Sequence, residues 1–181
     1  DQDQAQARVL DAHLEGDGAA VALGQADGCR QTVARHQRHQ VVDEHHAQQR
    51  PEYGPTVKLT AAKKIAAGVI AECAANKWNV AVSIVDTHGF LMYFERMENT
   101  QTASMDIAIG KARAAATYRR PTRVFMEVIN KAPATATLPG VFASPGGLPI
   151  MVDGKVTGAV GVSGVTGDQD EQCAKAGLAG M

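Results

Sequence analysis

The sequence predicts an α+β domain, an antiparallel sheet with helices packed on it, behind an N-terminal stretch of different character. Three observations carry this. Short β-branched runs come in pairs joined by tight turns, Asp86-Thr-His-Gly89 and Asp153-Gly154, so the strands form hairpins. Stripes of helical period lie before, between and after the hairpins, as expected of helices gathered on an antiparallel sheet. The alphabet also changes abruptly near Pro51-Glu-Tyr-Gly-Pro55: residues 1–50 contain no Lys, Ile, Phe, Met, Trp, Ser or Asn. Residues 1–55 are expected to be a low-complexity, solvated and disordered extension, or the translation of a GC-rich stretch ahead of the true start. Residues 56–181 are expected to be the globular domain.

The elements follow in order. Ala62, Ile65, Ala66, Val69, Ile70 and Cys73 form one apolar stripe, predicting a helix from Leu59 to Lys77. Val80–Val85 is short, apolar and β-branched, the pattern of a central strand, and Phe90–Glu95 returns from it. Met105, Ile109, Ala112 and Ala116 predict a helix over Thr102–Tyr118. Pro121 breaks it, and a short helix follows over Thr122–Asn130. Lys131–Pro145 carries three prolines and Gly140 and reads as a loop over the sheet, with a short extra strand near Val141–Ala143 as an option. Leu148–Val152 and Val156–Val162 form the second hairpin. Along the latter, Val156, Val160 and Val162 share one face, and Thr157, Ala159, Gly161 and Ser163 the other. That small-residue face admits a close neighbour, whether helix, subunit or flat ligand. A last helix begins at Asp168.

Composition excludes several functions. A formal net charge of −1 leaves no basic surplus for nucleic acid. No apolar run approaches the roughly 20 residues that span a bilayer, and no signal-like segment opens the chain as given. No Gly-rich phosphate loop sits between a strand and a helix. Cys29, Cys73 and Cys173 are odd in number and widely spaced, which suits neither a disulfide framework nor a zinc site. Cys73 and Cys173 are read as packing residues, and a reducing, cytoplasmic compartment is expected. The histidines of RHQRHQVVDEHH (His36, His39, His45, His46) are read as part of a polar segment without a specific metal site.

Three stretches, NVAVSIVDTHGFLMYFERME, GKARAAATYRRPT and GGLPIMVDGKVTGAVGVSGVTGDQDEQCAKAG, resemble the GlcG/HbpS-like proteins, a family related to the C-terminal domain of PduO-type proteins. The resemblance covers about residues 59–181. It implies a profilin-like fold with an antiparallel sheet of about five strands flanked by helices, in homo-oligomers. It implies haem as ligand, with sensing, storage or breakdown as the role. Some relatives accompany glycolate or diol utilisation, so an enzyme or accessory acting on a small organic acid without haem is the alternative.

The candidate residues each carry two readings. His88, at a hairpin tip, is an axial haem ligand or a solvated turn residue; Tyr93, Met97 and Tyr118 are further ligand candidates or packing residues. Arg96 and Lys111 offer a fork and a point charge to a carboxylated ligand, or form surface ion pairs; for Arg113 the ion pair is preferred. Gly146 and Gly147 bring backbone N–H groups to an anion, or make a tight turn. Asp168 and Glu171 hold a surface iron or other divalent cation, or form a capping box. No nucleophile–base pair stands out, so any chemistry would be the cofactor's.

Overall fold

The computed structural model describes residues 50–181. Helix α1 (Leu59–Ala75) leads into β1 (Ala81–Val85) and β2 (Leu91–Arg96). Helices α2 (Ser104–Tyr118) and α3 (Arg123–Lys131) follow, then a 3₁₀ turn at Pro133–Thr137 within the expected loop. The second hairpin, β3 (Gly147–Val152) and β4 (Lys155–Ser163), precedes α4 (Gly167–Ala179). The sheet has the order β2-β1-β4-β3, with every neighbour antiparallel. Among the described residues it has four strands rather than about five, and residues 141–143 are not one of them. Pro149 falls on the edge strand β3, where a missing N–H breaks no ladder of a central strand.

Alternation along β1 and β4 divides the core. Val82, Ile84, Val160 and Val162 point to the face covered by α1 and α4, where Ile65, Val69, Cys73 and Cys173 are fully buried. Val85 and Ala159 point the other way, to Ala112, Ala115 and Ala116 of α2. The small-residue face of β4 thus meets a helix. A Cβ at Gly161 would stand 2.1 Å from the Ala108 carbonyl, and Ser83 Oγ donates to that carbonyl at 2.8 Å. Gly161→Ala is expected to cost about 1–3 kcal/mol or more, because α2 must lift from the sheet; a urea midpoint unchanged from the parent would contradict this.

Residues ahead of α1 also join the sheet. Tyr53 bridges Val156 in parallel, Gly54 N donates to Val156 O, and Val57 N donates to Thr157 O. Tyr53 Oη donates to the carbonyls of Ala116 and Thr117, and Arg119 stacks on its ring 5.0 Å from the centroid. Arg119 itself takes a left-handed conformation, φ 55°, so α2 ends just before Pro121.

Two expectations need correction. Cys73 and Cys173 are bonded to each other, tying α1 to α4 across 100 residues of sequence. Wide spacing in the chain hid the pair, because stripes on two separate helices meet only once both pack on one sheet face. The cap of α4 lies two residues earlier than expected: Thr166 accepts from Gln169 N, and Gln169 Oε1 accepts from Thr166 N. Thr166 and Gln169 have the box spacing, whereas Asp168 and Glu171 already lie inside the helix.

Candidate functional site

The turn between β1 and β2 is held by one carboxylate. Asp86 Oδ1 accepts from His88 N at 2.9 Å and from Phe90 N at 2.8 Å, an Asx-type turn extended by one further bond. Gly89 has φ +86°, a conformation that favours glycine. From α2, Arg113 Nε donates to Gly89 O at 3.1 Å, so the tip is pinned from both sides. Thr87, nearly buried, sets Oγ1 3.2 Å from His88 Nδ1. Which atom donates depends on the imidazole tautomer; in the one with Nδ1–H donating to the hydroxyl, Nε2 keeps its lone pair.

His88, Gly89, Phe90, Arg113, Thr117, Tyr118, Pro139 and Gly140 line a surface cleft of about 480 Å³. Its walls are apolar where Phe90, Tyr118 and Pro139 face it, and Phe90 is 69% exposed. Tyr118 Oη donates to Pro139 O at 2.6 Å, which fastens the loop to the end of α2, and its ring meets Phe125 edge-on at 5.1 Å. The volume lies within the roughly 300–1,000 Å³ of small-molecule sites. An imidazole, a guanidinium and apolar walls together make a donor set that fits haem: a nitrogen for iron, a fork for a propionate and flat surfaces for the macrocycle.

The expected site residues are divided among four places. His88, Tyr118 and Arg113 line the cleft. Arg96 is exposed at the opposite end of β2, about 17 Å away at roughly 3.4 Å per residue, with Nη1 3.7 Å from Met105 Sδ. Lys111 does bind a carboxylate, but an internal one. Its Nζ donates to Asp170 Oδ2 at 2.7 Å and to Val162 O at 3.0 Å, and the pair is 1% and 2% exposed. Burial pushes the Lys111 ammonium down and the Asp170 carboxyl up, each against the attraction of the other.

Gly146 and Gly147 lie against this pair. A Cβ at Gly146 would stand 2.8 Å from Val162 O, one at Gly147 2.5 Å from Lys111 O, and Gly147 N donates to Thr122 Oγ1. Their close approach is to protein. Asp168 and Glu171 share one cation, the Arg123 guanidinium, at 2.5 and 2.8 Å, and Glu171 also meets Lys175 at 2.7 Å. Among the described residues no group of three His, Cys, Asp or Glu side chains is placed to hold a metal ion.

Of the other ligand candidates, Tyr93 donates to Glu95 Oε2 at 2.9 Å, a bond that holds its phenol above the ordinary range and disfavours a phenolate. Met97 packs against the core. The four histidines of RHQRHQVVDEHH, with Cys29, lie outside the described residues.

Arg113 bonds Gly89 O and lines the cleft, and Asp170, which was not among the expected residues, holds Lys111. The helical period carried a usable signal for Lys111 and Arg113. Lys111 is spaced three and four from Ala108 and Ala115 on the sheet-facing side of α2, and Arg113, two residues on, points away from it.

The comparisons agree with this fold. The family model described as "Haem degrading protein HbpS-like" matches residues 57–179. Protein GlcG of Escherichia coli (strain K12) is 39% identical over 111 residues, covering 59% of this chain and 83% of GlcG. The crystal structure of HbpS is similar at a TM-score of 0.67 and 30% identity, covering 70% of this chain and 90% of that one. A PduOC:haem complex is similar at 0.65 and 23% identity, covering 70% and 95%, a likeness of fold alone. The chain belongs to the HbpS-like family.

Proposed function

We propose that the protein binds haem in the hairpin-tip cleft and serves in haem handling, whether sensing, storage or slow degradation. The observation that carries this reading is a shared wall: the one histidine among the described residues lines the same cleft as Arg113, Phe90 and Tyr118. Family membership supports the ligand class, since the matching model is described as haem degrading. In this reading His88 Nε2 would hold the iron and the Arg113 Nη groups would take a propionate, Nε being engaged by Gly89. Phe90, Tyr118 and Pro139 shield one flank of the ligand. Bound iron would supply any redox or oxygen chemistry, and the chain binds, orients and shields it. Lys111, Gly146 and Gly147 shape the sheet beneath α2, and Arg96 stands outside the site.

A small organic acid bound without haem is the second reading, favoured by the single guanidinium on an otherwise neutral wall. Self-association fits the two edge strands among the described residues, β2 and β3, with Leu91, Met151 and Val152 exposed along them. No helix among the described residues is long and apolar enough to cross a membrane. The Cys73–Cys173 bond supports an oxidising compartment over the cytoplasm expected from the sequence.

Haem titration of the full chain, followed by absorbance, tests the reading. A saturable, stoichiometric Soret shift is expected. His88→Ala is expected to move the band and weaken binding at least about tenfold, and Arg113→Ala to weaken binding without moving it. No saturable shift in the parent protein overturns the haem reading and directs the search to small carboxylic acids.

A further inference from the structure

Resting on the haem reading above, we infer that Asp86 is a positioning residue that aims His88 at the ligand. A histidine at the tip of a hairpin has no packed shell of its own. His88 is exposed, and its backbone lies in the β1–β2 turn. A turn without internal bonds leaves such a side chain to sweep a wide volume, and a site that needs one nitrogen at one point loses affinity accordingly.

The Asp86 carboxylate removes that freedom. Its Oδ1 collects the amides of His88 and Phe90, the two residues that bracket Gly89, and both line the cleft. The ring is oriented by Thr87 Oγ1 at Nδ1, while the main chain carrying the ring is oriented by Asp86. The hairpin is closed independently of this carboxylate: Asp86 N donates to Phe90 O, and Gly89 N donates to Asp86 O. Those two backbone bonds suffice for a turn. The side-chain bonds are additional, and they converge on the candidate ligand and its apolar neighbour. Arg113 completes the frame by holding Gly89 O from α2.

This assigns Asp86 no contact with the ligand. It acts through His88, as the partners behind metal-ligating histidines do, where loss of the supporting bond costs about 10–100-fold in affinity. The role therefore makes a prediction that simple stabilisation of the fold does not. The effect of Asp86 on haem affinity must depend on His88 being present.

The test is a double-mutant cycle on the full chain, read as haem dissociation constants and Soret positions. D86A is expected to weaken haem binding about tenfold and to shift the Soret band toward that of H88A. D86N retains an oxygen acceptor in place and is expected to stay within about threefold of the parent protein. In the H88A background, D86A is expected to change affinity by less than about twofold. Amide protection of β1 and β4, measured by hydrogen exchange without haem, reports whether each variant keeps the sheet. If D86A fails to fold, D86E takes its place in the same cycle, since it moves the acceptor outward by one methylene.

Equal losses from D86A with and without His88 would overturn the positioning role and leave the haem reading standing. So would an unshifted band in D86A with full affinity. Absence of any Soret shift in the parent protein would overturn the haem reading itself, and the positioning role with it.

Discussion

Lys111→Met is expected to cost about 3–5 kcal/mol at neutral pH, the largest loss of any single substitution considered. The reason is what it leaves behind. Asp170 is 2% exposed, and among the described residues its Oδ2 has Lys111 Nζ as its only charged partner, so the variant buries an uncompensated carboxylate on α4. Adding Asp170→Asn removes the charge while leaving an oxygen for Val165 N, which donates to Asp170 Oδ1 at 3.2 Å. The double variant is expected to recover most of the loss. The pH dependence has a definite sign. Burial already raises the Asp170 carboxyl above its ordinary value of 3.8, and removing the ammonium raises it further. A folded-state carboxyl with a raised value is protonated more readily than the unfolded one, so stability is lost as pH rises through that value. The gap between Lys111→Met and the parent protein is therefore expected to shrink on acidification toward about pH 4. Urea unfolding at neutral and acid pH measures it; a constant gap, or a double variant no better than the single, contradicts the account.

Reduction of Cys73–Cys173 is expected to lower stability by about 2–4 kcal/mol, with the chain-entropy limit for a loop of this length near 4.7 kcal/mol. The bond closes 100 residues of sequence between α1 and α4, while both sulfurs sit in a core that remains apolar when reduced. The fold is thus expected to survive reduction at lower temperature. Unfolding with and without reductant, with Cys73→Ala/Cys173→Ala as the insensitive control, gives the number. Thiol counting in denaturant should find two fewer free thiols before reduction than after. A full thiol count before reduction contradicts the bond.

The arrangement of elements was readable because it follows from local patterns. The two turns mark the hairpins, and the 3.6-residue stripe of α1 marks the face it buries; in α2 the buried face runs through Ala108, Lys111, Ala112 and Ala115, and Met105 and Ile109 of the expected stripe are only half-buried. The alternation in β4 holds at Val160 and Val162, which face α1 and α4, and at Ala159 and Gly161, which face α2. What could not be read were pairings across long separations. Lys111 with Asp170, Arg123 with Asp168 and Glu171, and Cys73 with Cys173 are each brought together only by stacking helices on the sheet. Charge type alone made Lys111 resemble a ligand-binding group, whereas position on the helix made it an internal one. The cleft was half readable: His88 and the loop after α3 stood out in the chain, but Arg113 joins them only because the end of α2 packs beside the β1–β2 turn.

The measurement that bears most directly on the haem cleft is an NMR titration of the uniformly ¹⁵N-labelled full chain with zinc protoporphyrin, a diamagnetic stand-in for haem. The account predicts saturable amide shifts concentrated on Thr87, His88, Gly89, Phe90, Arg113, Tyr118 and Gly140, with the amides around Arg96 and Met105 little changed. Shifts centred on Arg96 and the start of α2, or scattered without saturation, would contradict it.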